Sequence, residues 1–146
     1  MKTELILLSI ILGCSSTLIA QQTPIVIENA HLRYTISADG QNLAFVDRAT
    51  GIDYLKNDAP SACAFVCRRG VEYPATSTQF TDGRLTVEFA DAQATAVLHV
   101  TPHDAYIQVT VDEVTSDNVD SLIFLNIPLT LQGRPVESFA ACALSL

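Results

Sequence analysis

Apolar and polar residues alternate along most of this chain instead of recurring at helical spacing. Between Arg84 and Ala90, Leu85, Val87 and Phe89 fall on one side, and Arg84, Thr86 and Glu88 on the other. That period of two is the signature of a strand with one face in a core and one in water. The same alternation predicts strands over residues 31–37, 43–47, 62–68, 95–101 and 104–114, the last with Ala105, Ile107, Val109 and Val111 turned inward. Turn signals punctuate these runs at Asp39-Gly40, Gly51, Arg69-Gly70, Asp82-Gly83 and Pro102-His103-Asp104. Residues 121–131 differ, because Leu122, Ile123, Phe124, Leu125 and Ile127 are apolar on both faces. That run is expected deep in a sheet, with Pro128 forcing a bulge or an edge. No helical stripe of useful length interrupts the pattern, so the predicted fold class is all-β, an antiparallel β-sandwich.

The first residues break the alternation. Behind Lys2, residues 5–13 form an apolar run too short for a bilayer-spanning helix, which needs about 20 residues, and this fits a secretory signal peptide. Cleavage after Ala20 leaves residues 21–146 as one β-sandwich domain. Ile11-Leu12-Gly13-Cys14 also resembles a bacterial lipobox, in which Cys14 would carry a lipid anchor. The two readings place the chain as secreted or periplasmic, or as lipid-anchored at the cell surface.

Charge narrows the partners. The chain carries a net charge of −8, and losing Lys2 and Glu4 with a leader leaves that unchanged. Nucleic acid is excluded as an expected partner, since phosphate binding needs clustered Lys and Arg. An anionic membrane surface is disfavoured for the same reason, which leaves membrane contact only through a lipid on Cys14. The acids are scattered without a long run, as on an ordinary solvated surface.

The chemistry-bearing residues are sparse. Asp47 and Asp53 flank Gly51 and read as turn or surface acids. A glycosidase needs two carboxylates about 5 to 10 Å apart across a sugar, whereas the neighbours Asp112 and Glu113 point to opposite faces of a strand. No nucleophile elbow, phosphate loop or dinucleotide fingerprint occurs, so no catalytic residue and no cofactor is assigned. His99 and His103 would align on a helix, but Pro102 places them on strand and turn. The cysteines lack a Cys-x-x-Cys pair, so no metal site is assigned either. Cys63 and Cys67 flank Phe65 and, in an extended strand, lie about 13 Å apart, beyond disulfide reach. In an exported protein Cys142 is the candidate partner of Cys63 or Cys67; buried free thiols are the other reading. Tyr34 and Tyr54 are suited to stacking on a sugar ring and Arg68 and Arg69 to an acidic glycan, which makes these four the binding candidates. Tyr73 and Tyr106 share the residue type. Such residues also serve cross-strand packing and solvated turns.

The succession Ile27-Glu28-Asn29, Leu32-Arg33-Tyr34-Thr35-Ile36-Ser37, Asp39-Gly40, Leu43-Ala44-Phe45-Val46-Asp47, Thr50-Gly51 and Asp53-Tyr54-Leu55 resembles the opening β-meander of galactose-mutarotase-like β-sandwich domains. The resemblance extends over residues 24–131. It implies a supersandwich-like double sheet of the kind found at the N-terminus of secreted bacterial glycoside hydrolases and beside the catalytic region of some polysaccharide lyases. There it helps to shape a sugar site completed by a following domain. The resemblance does not carry aldose epimerase activity, because the paired histidines and general-base carboxylate find no matching motif at His31, His99 or His103. Domains of this type are longer, and residues 138–146 are apolar without a polar tail, so the sandwich is expected to be incomplete at its C-terminus and the chain a fragment. The expected function is an exported non-catalytic sandwich, the N-terminal carbohydrate-associated part of a larger polysaccharide-degrading enzyme. Its expected partners are carbohydrate and a following catalytic domain. The alternative is a free-standing carbohydrate-binding or adhesion module at the surface or in the periplasm.

Overall fold

The structure, a computed structural model, describes residues 23–116 and 118–144. The apolar leader, the cleavage point after Ala20 and the lipobox with Cys14 lie outside the described residues. Ten strands follow in order: β1 (Ile25–Glu28), β2 (Leu32–Ile36), β3 (Asn42–Asp47), β4 (Ala64–Arg68), β5 (Val71–Pro74), β6 (Ser77–Thr81), β7 (Arg84–Phe89), β8 (Ala94–Pro102), β9 (Ile107–Val114) and β10 (Ser121–Phe124). A single 3-10 turn, Ala90–Ala92, links β7 to β8. The strands form three antiparallel sheets, in the orders β1-β2-β3, β10-β4-β5 and β6-β7-β8-β9. The result is an all-β antiparallel sandwich.

One core joins all three sheets. Ile36 of β2, Val66 of β4, Val87 and Phe89 of β7 and Leu98 of β8 are its largest fully buried side chains, each worth about 1.5 to 3 kcal/mol of apolar burial. The alternation within β7 is the one written in its sequence: Leu85, Val87 and Phe89 are buried, while Arg84 and Glu88 are exposed.

The turns carry the register. Arg69 and Gly70 adopt φ of 53° and 75°, and Asp82 and Gly83 adopt 51° and 77°. With both central residues left-handed, the β4–β5 and β6–β7 hairpins close through two-residue turns whose twist matches that of the strands. Gly40 is required for a different reason. At φ 78°, a Cβ on Gly40 would stand 2.8 Å from the Cβ of Ala75, where the β2–β3 turn packs against the entry to β6.

Strands β2, β4, β7 and β9 lie within the predicted runs and β3 and β8 reach one residue beyond theirs, at Asn42 and at Ala94 and Pro102, whereas β1, β5 and β6 carry no alternation long enough to predict them. Two expectations are corrected. Residues 121–131 are not deep in a sheet: β10 ends at Phe124 and pairs only with β4, and Ile123 and Leu125 are 40% and 38% exposed. Leu125 adopts φ 56° and turns the chain out of the ladder. Beyond it Pro128 accepts a hydrogen bond from the Lys56 amide at 2.9 Å, and Leu129 bridges Leu55. Apolar residues on both faces therefore mark an edge strand whose outer face is uncovered. In β9, Ala105 is not inward but exposed in the preceding turn. A register shift at Val97/Leu98 leaves Asp112 unpaired between Val111 and Glu113. This bulge resets the parity so that Val114 packs on the core while Val111 stays 41% exposed at the edge.

Candidate functional site

Four of the acids, Asp47, Asp53, Asp120 and Glu137, hold backbone amides. Asp47 accepts the Ala49 amide at 3.0 Å and the Thr50 hydroxyl at 2.6 Å. The Thr50 hydroxyl, followed by the Ala49 amide, holds its carboxyl below the usual carboxylate range. Asp53 accepts the amides of Phe45 and Leu55, both at 2.9 Å, and so staples the Ile52–Leu55 stretch to β3. Asp120 takes the Arg69 amide at 2.6 Å. Glu137 takes those of Gln132 and Arg134 at 2.9 and 2.8 Å, and these amides, the Gln132 one foremost, lower its pKa. Asp112 pairs with Arg84 at 3.0 Å, Glu28 with Arg33 at 2.7 Å and Asp58 with Lys56 at 2.9 Å. These carboxylates partner amides and cations rather than one another.

The four binding candidates separate. Tyr34 is only 3% exposed, and its hydroxyl donates to Asn42 Oδ1 at 2.5 Å. Burial drives its pKa far up. A ring enclosed in this way has no face for a sugar, so Tyr34 is corrected from binding candidate to core residue. Tyr54 is half-buried and stacks on Phe139, with centroids 5.2 Å apart and planes 16° apart. Arg68 is half-buried on β4, its guanidinium 3.4 Å from the Ala92 carbonyl. Arg69 is exposed in the β4–β5 turn. Of the four, Arg68 and Arg69 alone are neighbours.

Cys63, Cys67 and Cys142 are free thiols, respectively buried, half-buried and exposed. Burial pushes the Cys63 thiol up to about 11. His99 is exposed on β8, while His103 lies in the β8–β9 turn with its ring stacked on Tyr106 at 4.4 Å. Among the described residues no three His, Cys, Asp or Glu side chains gather to hold a metal ion. No described helix is long and apolar enough to cross a membrane.

Two features were not foreseen. The first is a buried polar hub: Asn42 accepts from Tyr34 and donates through Nδ2 to Ser61 O, Ser61 Oγ and Asn126 O at 3.0, 2.9 and 2.9 Å. Asn126 in turn donates to the Ala62 carbonyl at 2.9 Å. A lone polar residue opening an apolar strand was the available signal.

The second is concave. A recess of only about 10 Å³ lies beside Tyr34 and Cys63. An open groove of about 500 Å³, by contrast, lies where the edge strands β1 and β6 approach. Ile25 and Val26 line one side and Phe80 and Thr81 the other, and the Thr78 amide donates to the Ala38 carbonyl at 2.8 Å between them. Its lining thus combines apolar walls with main-chain polar groups. Comparison with protein-family models, with curated proteins and with solved structures returned no match for this chain.

Proposed function

We propose that the chain is an exported, non-catalytic β-sandwich, the N-terminal carbohydrate-associated part of a larger glycoside hydrolase or related polysaccharide-degrading enzyme. The observation that carries this reading is the outer face of the sheet β10-β4-β5. Ile123, Phe65 and Pro74 stand in cross-strand register there, forming an apolar row across three strands whose opposite face, Ala64 and Val66, is fully in the core. An apolar row on the solvent side of a sheet is a surface against which further protein packs. In this reading a following catalytic domain covers it. The use of the acids as turn staples supports a scaffold rather than a hydrolytic site. Arg68 and Arg69 at the β4–β5 turn supply the remaining polar contacts for an acidic glycan.

Two preparations test the reading. One is the protein encoded by the longest open reading frame containing this chain; the other is the chain alone. Both are run through native gels containing neutral or acidic polysaccharide and assayed for release of reducing sugar. Retardation of both, with sugar released by the longer protein only, is the expected result. Retardation of the chain alone, with no longer protein encoded, points instead to the free-standing binding module. Absence of both retardation and turnover in every preparation refutes the carbohydrate assignment.

A further inference from the structure

The groove between β1 and β6 contains main-chain groups that neither sheet uses. In the β1–β2 hairpin the Asn29 amide donates to the Leu32 carbonyl at 3.0 Å. An antiparallel ladder alternates, so Ile25 and Ile27 direct their peptide groups toward β2, and Val26 directs its own outward. In the β6–β7 hairpin the Asp82-Gly83 turn closes on the pair Thr81 and Arg84. Gln79 and Thr81 therefore face β7, while Thr78 and Phe80 face out. The Thr78 amide shows this directly, since it donates away from β7 to Ala38. Among the described residues, Val26 and Phe80 have no main-chain partner on their outward sides.

The chemistry that matches such an edge is another extended main chain, which presents donors and acceptors with the same alternation. Val26, 45% exposed, and the half-buried Phe80 supply apolar contact for every second side chain of that strand. The rim sets its charge. Asp39 follows Ala38, Asp82 follows Thr81, both are exposed, and no Lys or Arg lines the groove. A second copy of this chain is disfavoured as occupant, because it carries the same −8 net charge and its own β1 brings Glu28.

We propose that this groove receives an extended, basic segment of a partner polypeptide as an added β-strand, with Lys or Arg alternating with β-branched residues. The proposal is independent of the carbohydrate reading. Titration of a fluorescein-labelled heptapeptide of alternating valine and lysine with the full chain, read by fluorescence anisotropy, tests it. Saturable binding is expected, weakened roughly tenfold or more by Val26→Pro, which removes an outward amide and spares the β1–β2 ladder. Asp39→Lys with Asp82→Lys touches no ladder residue. It is expected to weaken the lysine peptide and to favour one of alternating valine and glutamate. Native circular dichroism of each variant certifies its fold. Absence of saturable binding, or binding indifferent to the charge reversal and to Val26→Pro, overturns the proposal. So does a concentration-dependent dimer that Val26→Pro abolishes, because a second copy then occupies the groove.

Discussion

Asn42→Leu removes every hydrogen bond of the Asn42 side chain while nearly preserving its volume. Asn42 Oδ1 loses the Tyr34 hydroxyl, and the two protons of Nδ2 no longer serve Ser61 O, Ser61 Oγ and Asn126 O. The Ser61 carbonyl keeps a donor, the Asn42 amide at 2.8 Å. The Tyr34 hydroxyl, by contrast, is stranded inside the core. Three hydrogen bonds at about 1 kcal/mol each, plus about 1 to 2 kcal/mol for the orphaned hydroxyl, give a loss of about 4 to 5 kcal/mol. Against a typical domain stability of about 5 to 15 kcal/mol, that is a large fraction. The melting temperature is expected to fall by roughly 10 to 20 °C, measured by circular dichroism with urea unfolding alongside. Tyr34→Phe costs about 1 to 2 kcal/mol alone, by leaving Oδ1 unpaired. Combined with Asn42→Leu it should cost almost nothing further, so the double-mutant cycle shows a coupling of about 1 kcal/mol or more. Additive losses, or an Asn42→Leu variant within about 1 kcal/mol of wild type, would show that the hub does not hold residues 61–63 and 126 to β3.

Three more expectations follow from the same geometry. Gly40→Ala places a methyl against Ala75 at φ 78° and should cost about 2 to 3 kcal/mol, part of it recovered by Ala75→Gly, as read in urea midpoints. Iodoacetamide at pH 8 should label Cys142 within minutes and leave Cys63 unmodified until urea unfolds the chain, because Cys63 is buried and its thiol is pushed up to about 11; mass spectrometry of the tryptic peptides reads the order. Asp47, Glu28, Asp58 and Glu137 all have folded pKa values below their ordinary ones. Their stabilisation is therefore complete above the unfolded values of about 4 and is lost as pH falls through the folded ones. Asp47→Asn should flatten the fall in stability below about pH 4, and an unchanged acid limb would refute the role given to Thr50 and Ala49.

Much of the fold was legible because alternation and turn chemistry are local. Residues 84–89 state their own buried and exposed faces, and Arg69-Gly70 and Asp82-Gly83 state their hairpins. What escaped was non-local or too short to register. Strand β5, Val71–Pro74, shows an exposed side chain at three of its four positions, so no apolar rhythm betrays it; its place comes from the turn before it and from pairing with β4. Strand β6, Ser77–Thr81, is mostly polar because Thr78 is buried by donating its hydroxyl to the Ser37 carbonyl at 2.8 Å. A hydroxyl that satisfies itself across a sheet junction reads as solvent-facing when only polarity is counted.

The same reasoning explains why the site was harder to see than the fold. Tyr34 and Tyr54 were marked for their rings, yet whether a ring faces water depends on what residues 126–139 lay across the meander, and Phe139 reaches Tyr54 from 85 positions away. The groove follows from sheet order, since β1 and β6 are each the last strand of a sheet and meet because Ala38 and Thr78 join their corners. Edges are properties of pairing rather than of residues, and the groups they expose are peptide groups common to every sequence. On β1 the side-chain trace of that edge is Val26, a β-branched residue 45% exposed between two buried isoleucines. The acidic rim at Asp39 and Asp82 belongs to turns whose other function is to close hairpins. A surface for an added strand is therefore encoded where the alternation faces outward at a sheet boundary, and the charge of the adjoining turns selects what can fill it.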